Sequence, residues 1–233
     1  MKIAIIPARG GSKRIPRKNI KEFFGKPVIA WSIIAAQNSM LFDHIIVSTD
    51  DEEIKSISEN YGASVPFYRP YDLSDDHTST APVIAHAIKK INEIYNIKVT
   101  YACCIYPCSP LLNSNNLIDS FKILKSTKEN FVYPVTRFPH SIYRSMKKSI
   151  NGKMDFVFPD HELTRTQDLE ETFHDAGQFY WGRPNAWVQG ERIFDRHSFA
   201  LLIPSWRVQD IDTPDDWQRA EALYKVLFEM DTK

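Results

Sequence analysis

Met1–Pro7 reads MKIAIIP and runs directly into Ala8-Arg9-Gly10-Gly11-Ser12-Lys13-Arg14-Ile15-Pro16-Arg17-Lys18-Asn19. The first segment is a short apolar run of the kind that forms a buried strand. The second sets two adjacent glycines at the strand's end, where they let the backbone turn sharply and approach a ligand closely. Arg9, Lys13, Arg14, Arg17 and Lys18 crowd five cations into the same loop. Free N–H groups with this much positive charge suit a polyphosphate. The loop matches neither G-x-G-x-x-G nor G-x-x-x-x-G-K-[ST], so neither a dinucleotide fingerprint nor an ATPase phosphate loop is supported.

Working outward, strands and helices alternate. Strands are predicted at Lys2–Pro7, His44–Ser48, Ser64–Tyr68, Val99–Tyr106 and Phe131–Thr136, and helices at Val28–Ser39, Glu52–Tyr61 (closed by Gly62), Thr80–Tyr95 and Asn115–Ser126. This order predicts an α/β, Rossmann-like, mostly parallel sheet with helices on both faces, and ligands bound beyond the carboxyl ends of the strands. From Arg137 to about Gln189 the strands look short and irregular, with Met154–Phe158 and Gln178–Trp181 as candidates. Residues 137–189 are therefore expected to form an inserted arm, used for dimerisation or as a lid over the site, within one domain spanning 1–233. The core pattern resumes near Phe199, with Trp206–Ile211 as a last strand. Thr213 then caps a terminal helix with Pro214 at its first position.

The chain has 233 residues, 29 Lys and Arg against 29 Asp and Glu, and 3 cysteines. The balanced charge argues against a nucleic-acid footprint, and the basic loop lacks an interleaved aromatic platform. No stretch approaches the roughly 18 apolar residues of a membrane span, and Met1–Pro7 is too short for a signal peptide. Cys103, Cys104 and Cys108 resemble neither a disulfide framework nor a zinc site, so a reducing cytoplasm is expected and small core residues are the simplest reading.

Two further constellations stand out. Asp210 and Asp212 in Asp-Ile-Asp would share one face of a strand and repel each other unless a cation lay between them. With a polyphosphate nearby, magnesium suits such oxygen ligands. Arg165, in Leu163–Asp168, could hold a carboxylate bidentately. His140, His161 and His174 have no metal spacing.

IIPARGGSKRIPRKNI, HIIVSTDDEEI, YPCSPLL and VQDIDTPDDW together resemble the CMP–sugar-acid synthetases, nucleotidyltransferases that activate sialic acid and its relatives. The resemblance spans essentially the whole chain. YPVTRFPHSIYRS and LTRTQDLEETFHDAGQFYWG look most like the members acting on pseudaminic acid. Where sialic acid synthetases commonly have glutamine before the Pro-x-Ser-Pro turn, this chain has Tyr106, which favours a nonulosonic acid other than N-acetylneuraminate. The resemblance implies a homodimer built by the arm, magnesium (with manganese as substitute), and CTP plus a nine-carbon acid sugar as substrates. It places Ala8, Arg9, Gly10, Ser12, Lys13, Lys18, Asn19 and Thr80 at the nucleotide, with Arg9, Lys13 and Lys18 catalytic. Tyr106, Arg165 and Gln178 fall to the sugar, and Asp210 and Asp212 to the metal. Rival readings are the same reaction on N-acetylneuraminate or 3-deoxy-manno-octulosonate, and a nucleotide-binding protein with a dead site. A bacterial surface glycan, flagellin glycans included, is the implied destination.

Overall fold

The structure is a computed structural model that describes residues 1–231. In chain order the strands are β1 (Lys2–Pro7), β2 (Glu22–Phe23), β3 (Lys26–Pro27), β4 (His44–Ser48), β5 (Tyr101–Ile105), β6 (Phe131–Arg137), β7 (Met146–Lys148), β8 (Met154–Phe156), β9 (Phe173–Asp175), β10 (Phe179–Gly182) and β11 (Ser198–Leu202). The helices are α1 (Val28–Asn38), α2 (Glu52–Asn60), α3 (Thr80–Tyr95), α4 (Ser114–Ser126), α5 (Pro184–Gln189) and α6 (Pro214–Asp231).

The main sheet has the order β11-β6-β10-β5-β1-β4, with β9 also pairing β6. β1 runs parallel to both β4 and β5, and β11 parallel to β6, while β10 and β9 run antiparallel to their neighbours. The predicted mostly parallel sheet is thus observed. Alternate residues of one strand serve opposite faces. Ala4 and Ile6 pack with α1, α2 and α4 through Ile29, Ile33, Ile54 and Leu117. Ile3 and Ile5 pack with α3 and α5 through Ile84, Ile88, Ala186 and Trp187. Cys103 and Cys104 fall on these two opposite faces, fully buried and unpaired, as small core residues do. Gly62, at φ +87°, ends α2, and Ala63 N–H closes back on Ser58 O at 3.1 Å, a hydrogen bond that only a left-handed residue permits there.

Three expectations need correction. Ser64–Tyr68 is no strand, since only Ser64 and Tyr68 pair with the sheet, as isolated bridges to Ile46 and Thr49. Pro66 lacks the N–H that a continued ladder needs. Trp206–Ile211 is not a strand either: Ser205–Arg207 forms a 3-10 turn and the chain is irregular up to α6. Finally, the arm is shorter than 137–189. Phe173–Asp175 pairs with β6, Phe179–Gly182 lies between β5 and β6, and α5 packs on α3. What projects is the stretch 138–172, with the β7–β8 hairpin and three 3-10 turns. It carries exposed Met146, Ile150, Met154 and Leu163. Among the described residues, no helix is long and apolar enough to cross a membrane.

Candidate active site

A cleft of about 280 Å³ opens beyond the carboxyl ends of β1, β4 and β5, lined by residues of the glycine loop, the 69–80 segment, Tyr106–Cys108 and the acidic pair. Backbone and side-chain braces hold the loop. Ala8 N–H donates to Ser48 O at 2.9 Å, Gly10 N–H to Asp50 Oδ1 at 2.9 Å, and Asn19 Nδ2 to Arg9 O at 2.8 Å. Gly10 is needed for close approach: a Cβ there would lie 2.5 Å from Asp51 Oδ2. The loop's left-handed residue is not a glycine but Arg17, at φ 54°. Its guanidinium grips both Asp51 oxygens and also Glu53. That contact holds the Asp51 carboxyl below the usual carboxylate range, and Asp51 in turn caps α2 through Ile54 N–H at 3.0 Å. Arg17 therefore fastens the loop to α2, leaving four loop cations lining the cleft.

Those four meet two anions. Asp76 bridges Arg9, at 2.8 Å, and Lys13. Asp212 receives Arg14 at 2.7 Å and Lys18 at 3.4 Å, and Lys18 also donates to Ile211 O at 2.6 Å. The Lys13 contact, with Arg9 behind it, keeps the Asp76 carboxyl low. Asp76 thus orders two of the cations that line the cleft. Sequence reasoning missed Asp76 and also Arg69, which is 6% exposed and lines the cleft. Arg69 donates through Nε and Nη2 to Ser48, leaving Nη1 without a partner among the described residues. Burial pulls this guanidinium down to about 10. A lone arginine between Tyr68 and Pro70 carries no pattern that would have singled it out.

Asp210 and Asp212 both line the cleft, but not by strand alternation. Ile211 between them is 1% exposed and is buried with Ile15, Phe23 and Trp217 in a small core of its own. Behind it, Asp216 Oδ2 accepts from Thr213 N–H at 2.8 Å and Asp212 N–H at 3.2 Å, while Thr213 Oγ1 accepts from Asp216 N–H at 3.2 Å. This capping box fixes the backbone under the pair. Replacing Ile211 by alanine is expected to cost about 2–5 kcal/mol, measured as a lower denaturant midpoint, and to loosen the pair. Burial, then repulsion from Asp212, pushes the Asp210 carboxyl up. A divalent cation would relieve both. Among the described residues no three His, Cys, Asp or Glu groups form a metal cage. Two carboxylates completed by substrate phosphates are what magnesium takes, so the donor set fits it.

The sugar candidates separate. Tyr106 lines the cleft and also a second groove of about 420 Å³ shared with Thr80 and continued by Tyr180, Asp175, Arg192 and Phe194. Its hydroxyl lies 3.1 Å from Thr80 Oγ1, and burial pushes the phenol up to about 12. Gln178 lines neither cavity; its amide donates to Arg207 O and ties β10 to the 205–207 turn. Arg165 is exposed on the arm and also lines neither. Ser12 lines the cleft, whereas Ala8 is buried behind it.

The cytidylyltransferase family model matches residues 3–200. Pseudaminic acid cytidylyltransferase of Campylobacter jejuni is 43% identical over 230 residues, covering 97% of each chain. A Helicobacter pylori protein named pseudaminic acid cytidylyltransferase and UDP-2,4-diacetamido-2,4,6-trideoxy-beta-L-altropyranose hydrolase is 39% identical over 210 residues, 90% of this chain and 40% of that one. Among solved structures, CMP:2-keto-3-deoxy-manno-octonic acid synthetase complexed with CTP superposes with a TM-score of 0.69 at 14% identity, covering 96% of this chain and 98% of that one. At that identity the likeness concerns the fold.

Proposed function

The chain belongs to the cytidylyltransferase family, and we propose that it transfers CMP from CTP to the anomeric hydroxyl of pseudaminic acid, giving CMP-pseudaminic acid and pyrophosphate. The observation that carries the reading is the junction at Thr80 and Tyr106. There a cation-lined cleft suited to a triphosphate opens into an aromatic groove suited to a sugar. The choice of sugar rests on the Campylobacter relative.

In this reading the anomeric oxygen bonds to the α-phosphorus, the bond from that phosphorus to the bridging oxygen of the β-phosphate breaks, pyrophosphate leaves with the electron pair, and the hydroxyl proton passes to water. Catalysis of such a step is positioning and charge stabilisation. Arg9 and Lys13 exchange Asp76 for the departing phosphates. Lys18, held by Ile211 O, stays beside the α-phosphate. Ser12 and the N-terminus of α3 at Thr80 supply donors around the nucleotide. Asp210 and Asp212 would hold magnesium, or manganese in its place, which when bound supplies charge to phosphate oxygens and can lower the pKa of the attacking hydroxyl.

The exposed apolar side chains of the 138–172 arm support a homodimer, in which the arm of a second copy brings Arg165 to the sugar carboxylate. The enzyme is proposed to work in the cytoplasm. The test is pyrophosphate release from CTP and magnesium with pseudaminic acid, run beside N-acetylneuraminic acid and 3-deoxy-manno-octulosonate. Release is expected with pseudaminic acid at the highest kcat/KM. A higher kcat/KM with either other acid reassigns the substrate, and none with any of the three overturns the reading.

A further inference from the structure

Asp175 closes β9 and lines the second groove but not the nucleotide cleft. Two neutral donors hold it: Tyr180 Oη–H on Oδ2 and Gly177 N–H on Oδ1, the latter at 3.1 Å. No ion pair joins it to any cation among the described residues, although Arg192 lines the same groove. A carboxylate oxygen can accept more than one hydrogen bond, so each keeps capacity for a ligand donor. A half-buried anion without a cation is costly unless donors surround it. Around it the groove walls are Ala81, Tyr106, Ile193 and Phe194, apolar surfaces that suit an acyl methyl better than a run of hydroxyls. Burial pushes up the phenols of Tyr106, Tyr133 and Tyr180 and the carboxyl of Asp210, and the Asp175 charge adds to each. The groove's other carboxylate, Glu191, is engaged by Asn130 Nδ2 at 2.6 Å. Gly177, which holds Asp175, lines the cleft beside Asp210, so Asp175 sits where the sugar groove meets the reacting end of the cleft.

Resting on the acid-sugar reading above, we propose that Asp175 is a specificity-determining residue of the groove, accepting a hydrogen bond from an acylamino N–H of the sugar, with that group's methyl against the apolar walls. Tyr180 and Gly177 set the carboxylate's orientation, so it is preorganised for this contact. Because two donors already engage its oxygens, Asp175 is suited to hold substrate and poorly suited to take its proton.

Calorimetric titration of pseudaminic acid into CTP-saturated protein without divalent cation tests this apart from turnover. Asp175→Ala is expected to weaken sugar binding at least tenfold and to leave CTP binding within about twofold. Asp175→Asn, which keeps the shape and the Gly177 contact, is expected to fall between Asp175→Ala and the wild type. Unchanged sugar binding in both variants, or equal weakening for sugar and CTP, overturns the proposal while the wild-type arm upholds the function. Wild-type protein that binds none of the three acid sugars overturns the function and this proposal together.

Discussion

Asp212→Asn is expected to lower turnover more than tenfold at limiting magnesium, with partial recovery as magnesium is raised. The exchange removes one of two anionic donors from a site whose other ligands are substrate phosphates. It also removes the counter-charge of Arg14 and Lys18, 2.7 Å and 3.4 Å away, which then compete with the cation for phosphate oxygens. The fold should hold. The backbone around Asp212 is fixed by Ile211 burial and by the Thr213–Asp216 box, neither of which uses the Asp212 carboxylate. The checks are initial rates across a magnesium titration and a thermal melt. Wild-type turnover at limiting magnesium would remove Asp212 from the metal assignment. A large loss of melting temperature would show a structural role instead.

The alternation of strands and helices was legible because each element has its own period and punctuation. β1, β4 and α3 lie at the predicted bounds, and Thr213 with Pro214 opens α6 as its chemistry demands. The glycine loop was legible as a cluster of cations but not as a division of labour. Which cations line the cleft depends on Asp51, Asp76 and Asp212, which are distant in sequence, so Arg17 was counted with the ligand-binding group. The Asp-Ile-Asp pair was found, but its geometry was assigned to a pleat. A tertiary contact, Ile211 against Ile15 and Trp217, places the carboxylates instead. Gln178 stood one residue from the right strand, yet its side chain serves Arg207. Arg69 and Asp175 gave no signal, since each acts through groups brought near by the sheet rather than by the chain.

Lys18→Met should have an effect at least as large, a fall of about a hundredfold or more in kcat/KM, or roughly 2.7 kcal/mol of transition-state stabilisation. Methionine keeps the unbranched stem and its packing but lacks the ammonium. Lys18 is placed more rigidly than the other loop cations. Its side chain is 21% exposed, against 79% for Lys13 and 66% for Arg14. It is tied to Ile211 O, a carbonyl that α6 and the small core hold still. A charge fixed before the reaction needs no reorganisation as the phosphoryl oxygens gain charge, so its loss falls mainly on the transition state. The expected pattern is therefore a collapse in kcat with a smaller rise in the KM for CTP, whereas Lys13→Met, at an exposed position, should raise KM more than it lowers kcat. Steady-state kinetics on both variants separate the two roles. A Lys18→Met enzyme with normal kcat and raised KM would make Lys18 a binding residue alone. Arginine at position 18 is expected to rescue only in part, because its bulkier, delocalised guanidinium does not reproduce the compact point charge of the ammonium.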